Sequence, residues 1–390
     1  MWDYVLSILH DPGNPRWQFD LPSSPEVQVT LEFTERVFEQ YYTVQRHEAL
    51  PELFVKVHAF LALPMSMRQR IHLNRNLAIV LMFQDKYIDA LRYIDEALRV
   101  ARMYSATKEP IYDVLAELHQ VRSRFNRGLL RIGDTLHDLR ESLRFQREHK
   151  HHGGTFQASA YLLALTDEAT WEYYTGDLKS LQGTIAEANH MYLPIQGNEM
   201  SRANLLWMEA RLDQITGNLR RATESMRVAQ ALYEERANLT SQDRILYDVA
   251  EIHLDYATKL PEGTMRDNTL TYAENCVMRS LELAREVKDD NGRMLASLAY
   301  AHFARLTGAN VDRMHLITYA QAFGENENDQ ALQAQALIAL GDEYLARGSY
   351  DAARNCWGQA ISLLDGSELA IFQLIAWRRI IAAESRYDRY

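Results

Sequence analysis

Residues Leu337–Leu363 read LIALGDEYLARGSYDAARNCWGQAISL, and this stretch decides the fold of the 390-residue chain. The spacing of its apolar residues predicts two antiparallel helices joined by a tight turn at Gly348. Small residues must lie where two helices cross closely, and Gly341 and Ala353 have the positions for that approach. Trp357 has the position of a large side chain beside the crossing. Because one helix pair cannot bury its apolar face alone, stacked copies are expected.

The same pattern recurs along the chain and is traced best by the small residue of each first helix. Ala169 to Ala210 is 41 residues, and Ala210 to Ala250 is 40. A Pro/Gly-containing loop at 259–268 lengthens one interval. The other first-helix positions are Ala78, Ala301 and Gly341, with a degenerate unit near Ser123; the second-helix positions are Ala90, Ala97, Ala188, Ala222, Ala229, Ala273, Ala320, Ala353 and Ala360; the turn glycines are Gly176, Gly217, Gly308 and Gly348.

These residues resemble the tetratricopeptide repeat family, in a bacterial type whose repeats have about 40 residues rather than about 34. The resemblance is strong over 330–364, clear over 70–102, 165–190 and 206–232, and weak over 111–146. It implies an all-α, right-handed superhelical solenoid of about seven helix pairs, with a concave groove that binds a peptide or a helix.

The expected domain organisation has three parts. Residues 1–66 do not carry the repeat pattern and are predicted to form an N-terminal arm and helical cap. Residues 67–366 are predicted to form the repeat solenoid, and residues 367–390 a C-terminal capping helix whose Arg378 and Arg379 stay partly hydrated.

Composition restricts the partners and the compartment. A net charge of −11 argues against nucleic acid or an anionic membrane surface as the partner. The chain has two cysteines, Cys276 and Cys356, which lie in helical patterns and suit buried thiols in a reducing cytoplasm. The sequence shows neither a signal peptide nor an apolar segment of about 20 residues. We therefore expect a soluble cytoplasmic protein.

The resemblance implies that exposed concave positions lie on the first helices, and the aromatic and charged residues there form a candidate binding strip. Arginine forks bind carboxylates and aromatic faces hold apolar side chains, so this mixture suits a peptide. At any single position the alternative is an ordinary solvated or half-packed helix residue. The strip consists of Arg75, Tyr173, Asn204, Trp207, Arg211, Arg244, Tyr247, His302 and Arg305.

Other polar patterns favour plain structural interpretations. The arginines at 122, 124, 127 and 131 are typical of a solvated face balanced by nearby acidic residues. The histidine-rich tract at 149–152 lacks the set of about four ligands that a structural metal site needs, which favours a solvated loop. Hydrolase motifs and a phosphate-binding loop are absent from the sequence. We therefore expect neither an enzyme nor a cofactor.

The sequence favours a non-enzymatic adaptor or regulatory subunit that binds a protein or peptide partner in the groove. One alternative is a cytoplasmic peptide-sensing regulator that releases a client protein. The other is an accessory subunit that supports or restrains a partner enzyme, a protease or a nuclease. In that case the N-terminal residues Trp2, Trp17 and Phe19 would be docking residues. A homodimer is left open.

Overall fold

The computed structural model describes residues 66–192, 199–236 and 239–387, together with Phe54, Val55, His58 and Leu61. These residues form an all-helical repeat fold, which confirms the predicted fold class. The chain divides into two compact units between Gln157 and Ala158. The predicted docking residues Trp2, Trp17 and Phe19 lie outside the described residues.

The first unit contains two described helix pairs. Ser66 begins the first helix because its side chain accepts the amide of Gln69 while the Gln69 side chain accepts the amide of Ser66. Each helix packs on the next, and α1 also contacts α3. The helices are α1 (Met67–Met82), α2 (Tyr87–Thr107), α3 (Tyr112–Gly128) and α4 (Ile132–His151).

The second unit contains five helix pairs and a final helix. The first helices of successive pairs contact one another, so that they line one side of the unit, and the final helix packs on the last pair and on α5. The helices are α5 (Ala158–Tyr174), α6 (Leu178–Tyr192), α7 (Glu199–Thr216), α8 (Leu219–Arg236), α9 (Leu239–Ala257), α10 (Thr264–Val287), α11 (Asp290–Thr307), α12 (Arg313–Glu327), α13 (Gln330–Ala346), α14 (Tyr350–Leu363) and α15 (Ala370–Tyr387).

The small residues lie where the helices cross, as predicted. All the alanines assigned to first and second helices are buried, and so is Ser123 of the degenerate unit. Gly341 shows the reason most clearly, because a Cβ atom there would lie 2.4 Å from Nε1 of Trp357. The tryptophan is fully buried against α13, and its indole N–H donates to the carbonyl of Ile338. The phase of the repeat is therefore set by close backbone approach.

One loop differs from its prediction. The chain between α9 and α10 was expected to be irregular through Asn268, but α10 begins at Thr264 and runs for 24 residues. Gly263, with a φ of +140°, ends the loop, and Asp267 lies in the first helical turn, where a negative charge is favourable. Much of the extra repeat length is therefore helix.

The degenerate unit at 111–146 is held together by a buried polar network. Asp138 of α4 is 1% exposed and accepts hydrogen bonds from three side chains of α3. These are His119 Nδ1 at 2.8 Å, Arg122 through Nη2 at 2.6 Å, and Asn126 Nδ2 at 2.9 Å. Arg122 also donates to Asp95 of α2 at 2.9 Å. The sequence interpretation of Arg122 as part of a solvated face was wrong, because its guanidinium joins three helices.

Most turns between paired helices share one backbone conformation. In five of them, a residue with positive φ follows the first helix, and the next amide bonds to the carbonyl five residues back, as Ser349 does to Tyr344. Glycine occupies this position at 176, 217, 308 and 348, as predicted. In the α3–α4 turn the position is Leu130, with a φ of +55° and a side chain that is 76% exposed.

Replacing Leu130 with glycine is expected to stabilise the first unit by about 0.5–1 kcal/mol, because glycine adopts this conformation without steric cost and little packing is lost. Urea unfolding followed by circular dichroism measures the change. Leu129→Gly is the control, since Leu129 has a φ of −94° and gains nothing from glycine there. Equal destabilisation by both variants would show that the backbone strain is absent.

Candidate functional site

The first helices of the second unit and α15 line a half-open cavity of about 450 Å³, here called the chamber. Its lining follows helical spacing, so each helix presents one face to it. Tyr247, Glu251 and Asp255 of α9 are an example, since they are four residues apart in sequence. The volume is within the range of small-ligand and short-segment sites.

Five residues of the predicted binding strip line the chamber, although they belong to four different helices. Residues from repeats far apart in sequence are therefore brought together, as the strip required. They are Tyr173 of α5, Arg211 of α7, Tyr247 of α9, and His302 and Arg305 of α11.

The other four strip residues lie elsewhere. Trp207 donates its indole N–H to Asp248 at 2.6 Å, and Asn204 accepts the hydroxyl of Tyr233. Arg244 is exposed and lies 3.5 Å from Asp289. Arg75 belongs to the first unit, where its side chain pairs with Glu117 at 2.5 Å. These four residues were predicted to share one surface with the other five, but they are not part of the chamber lining.

A chain of polar contacts fixes the floor of the chamber between α7 and α9. Arg211 forms an ion pair with Asp248, which is buried. The same guanidinium donates to Gln214 Oε1 at 2.8 Å, and Gln214 Nε2 donates to Asp255 Oδ2 at 2.8 Å. Because the Arg211–Asp248 and Gln214–Asp255 links join α7 to α9, a movement of one of these helices against the other would break a charge-assisted contact.

In the chamber, the Glu251 side chain is ionised and the Tyr247 side chain is neutral. Burial raises the pKa of Glu251, but His302 at 3.4 Å, Arg211 and Arg305 outweigh it and hold that pKa below its usual range. Burial raises the pKa of Tyr247 far above its ordinary value, so the phenol stays neutral. Its hydroxyl donates to Gln335 Oε1 at 3.0 Å, across the chamber on α13.

Sequence reasoning missed the contribution of α15. Its Ile371 and Ile380 are buried, as expected of a capping helix. However, α15 also reaches the first helices of earlier repeats: Arg378 donates to the carbonyl of Ile215, and Phe372 packs near the ring of Tyr174. Arg379 Nε lies 3.3 Å from Asp342. The sequence did contain a signal for this contribution. Residues from Ile375 through Arg379 form a second stripe at helical spacing on α15, beside the stripe of Ile371 and Ile380.

Other sequence features acquire definite positions. Both cysteines are free and buried, and burial raises the pKa of Cys276 to about 12. Within the described ranges, no three histidine, cysteine or acidic side chains are grouped to hold a metal ion, and this includes the histidine-rich tract. None of the described helices has the length and apolar character needed to cross a membrane.

No protein-family model and no curated protein matches the chain. Solved structures do match, with probability 1.00. The apo form of the quorum sensor NprR from B. thuringiensis is 11% identical, with a TM-score of 0.61 and 87% of each chain covered.

Two further matches have the same repeat fold. Aspartyl phosphate phosphatase F from Bacillus subtilis is 11% identical, with a TM-score of 0.60, and 86% of this chain and 90% of that one are covered. The Rap conjugation gene regulator of the plasmid pLS20, in complex with the Phr* peptide, is 11% identical with a TM-score of 0.53. That match covers 89% of this chain and 99% of the other. At this level of identity, the likeness shows the fold.

Proposed function

We propose that this chain is a cytoplasmic peptide-binding regulator whose chamber takes a short peptide or a segment of a partner protein. The observation that carries the proposal is the convergence of aromatic and charged side chains from separate repeats on one half-open cavity. Arginine and acidic groups there match a peptide backbone and its charged ends, and Tyr173 and Tyr247 provide aromatic surface.

The structural neighbours support a regulatory role. One is a quorum sensor, and another is a conjugation gene regulator in complex with a peptide. A stack of repeats suits a ligand-dependent role, because each repeat contacts its neighbours. We therefore place peptide sensing with release of a client protein first, ahead of a constitutive adaptor.

The alternative function, an accessory subunit of an enzyme, would use a surface other than the chamber. It depends on the N-terminal residues Trp2, Trp17 and Phe19 as docking residues. One structural neighbour is itself a phosphatase. Our proposal for this chain is binding without catalysis.

The test is capture of a natural ligand by the full chain. Purified protein is incubated with the peptide fraction of source-cell extract and medium, separated by size exclusion, and the retained peptides are identified by mass spectrometry. Synthetic copies are then titrated by calorimetry. We expect at least one peptide to bind, and Ala339→Trp to weaken it roughly tenfold or more by filling the chamber that Ala339 lines.

Ala346→Trp is the matched control. Ala346 is the last residue of α13, is exposed, and lies outside the chamber lining. The Ala346→Trp variant should bind the peptide as the native chain does. A peptide that binds Ala339→Trp with full affinity would contradict binding in the chamber, and retention of no peptide at all would contradict the proposed function.

A further inference from the structure

The last described helix, α15, continues the repeat. It begins 40 residues after α13, just as α13 begins 40 residues after α11. The same interval places Ile381 at the position of Gly341, the small residue that faces α14. Ala210, Ala250 and Ala301 hold this position in earlier first helices and are buried. The helix α15 therefore has the register of a first helix, and Ile381 lies on the face that the other first helices present to a second helix.

That face of α15 is uncovered in the part of the chain that the structure describes. Trp377 is 50% exposed and Ile381 is 61% exposed, whereas Leu337 and Gly341, at the equivalent positions of α13, are buried. Leu374 is half-buried and lies one turn before Trp377. Residues 374, 377 and 381 share one side of the helix, and we call them the outer stripe. An apolar stripe of this spacing is typical of a helix that packs on another element.

The outer stripe borders an open groove of about 1250 Å³, here called the outer groove. Residues of α12, α13 and α14 form the rest of its lining. On α15, Ile375 and Arg379 face the chamber, whereas Trp377 and Ile381 face the outer groove, so the two sites use different sides of one helix. A half-exposed tryptophan beside a groove is the kind of side chain that dominates the energy of protein contacts.

The rim of the outer groove is acidic. Its charged lining residues are Glu325 of α12, Asp351 and Arg354 of α14, and Glu384 of α15. Arg354 lies 3.5 Å from Glu384, and Asp351 and Glu325 form no ion pair within the described ranges. A symmetric dimer through this groove would bring two acidic rims together, and each chain has a net charge of −11. The charges therefore favour a basic partner over a second copy of the chain.

We propose that the outer groove and the outer stripe bind a basic amphipathic helix of a partner protein, which takes the place of a second helix against α15. The repeat register indicates a helix as the occupant, and the acidic rim indicates lysine or arginine at its edges. Because Ile381 fills a position that a small residue holds in other first helices, the partner helix must supply the small residue at the crossing. This surface is additional to the chamber and does not depend on the proposed function.

The experiment uses the full chain and a phage-displayed library of amphipathic helices of about 18 residues, or five turns. On one face, the positions i, i+3, i+4 and i+7 carry glycine, alanine, leucine, isoleucine or phenylalanine, and the flanking positions carry either lysine or glutamate. Selected peptides are synthesised and titrated by calorimetry. We expect lysine at the flanks and a small residue on the contact face. We also expect Trp377→Ala to weaken binding on the order of tenfold or more.

Tyr319→Ala is the matched control. Tyr319 of α12 is also an aromatic residue that is 50% exposed, but it lies outside the lining of the outer groove, so its loss should leave binding unchanged. Glu325→Gln should weaken the lysine-bearing peptides a few-fold, and high salt concentration should reduce that difference. Circular dichroism checks that each variant is folded.

Three results of the selection would overturn the proposal: no helix of the library binds, the flanks show no preference for lysine, or Trp377→Ala keeps full affinity. Sedimentation equilibrium of the chain without peptide tests the competing occupant. A native dimer that Trp377→Ala converts to a monomer would show that a second copy covers the outer stripe, and the partner helix would then be rejected.

Discussion

Trp357→Ala is expected to destabilise the second unit by about 3–5 kcal/mol, the largest single-residue effect that we anticipate from core truncation. Trp357 is fully buried and packs in the cluster that joins α13 and α14 to α15. Removing the indole leaves a cavity beside Gly341, which has no side chain to fill it. It also removes the donor to the carbonyl of Ile338. Because the loss lies between two paired helices, the hairpin α13–α14 should open first.

The chain provides a matched control for this substitution. Trp377 of α15 is 50% exposed, so Trp377→Ala removes the same side chain with little loss of packing and should cost less than about 1 kcal/mol. Thermal and urea unfolding of both variants, followed by circular dichroism, measures the difference. Equal losses would contradict the assignment of Trp357 as the central side chain of this repeat.

Asp138→Ala is expected to destabilise the first unit by about 3–5 kcal/mol. The aspartate is the common acceptor for His119, Arg122 and Asn126, and the first and last of these are themselves buried. Alanine would leave these donors in the interior without a partner, which costs more than the hydrogen bonds themselves contribute. Asp134→Ala is the control, because Asp134 lies on the same helix but is exposed; it should change stability by less than about 1 kcal/mol.

The same carboxylate predicts a pH dependence. Burial raises the pKa of Asp138, but hydrogen bonds from His119 and Arg122 outweigh it and hold that pKa below its usual range. The charged form therefore stabilises the fold fully above the unfolded pKa of about 4, and this contribution is lost as the pH falls through the folded pKa. Between pH 5 and pH 3, the native chain should lose more unfolding free energy than Asp138→Asn, which does not titrate. Parallel losses would show that Asp138 carries no such linkage.

Much of the repeat could be predicted from the sequence because its determinants are local. A small residue at the helix crossing and a glycine at the turn are required wherever two helices pair closely, so Ala210, Ala250 and Gly341 recur in phase. The exceptions are local as well. Leu130 holds a turn position that glycine holds in several other repeats, and a buried network around Asp138 lies in this unit.

The candidate site was predicted only in part, for a geometric reason. The resemblance to the repeat family implied which positions on the first helices are exposed, and Tyr173, Arg211 and Tyr247 do line the chamber. Trp207 and Asn204 have similar positions in the sequence, but contacts to neighbouring helices hold them away from the chamber lining. Which of two adjacent positions faces the chamber depends on how each helix is rotated against its neighbours, and that rotation is set by packing across repeats.

The sequence by itself determined that the chain is helical, that it repeats, and where paired helices cross, because close packing at a crossing and a left-handed turn each require particular residues at short range. Only the tertiary structure decided that α15 reaches back to α5 and α7 and brings Arg378 and Arg379 to the chamber. Arg378 lies 163 residues from Ile215, whose carbonyl it contacts. A contact of that range depends on the summed geometry of every repeat between the two residues, and no local pattern encodes it.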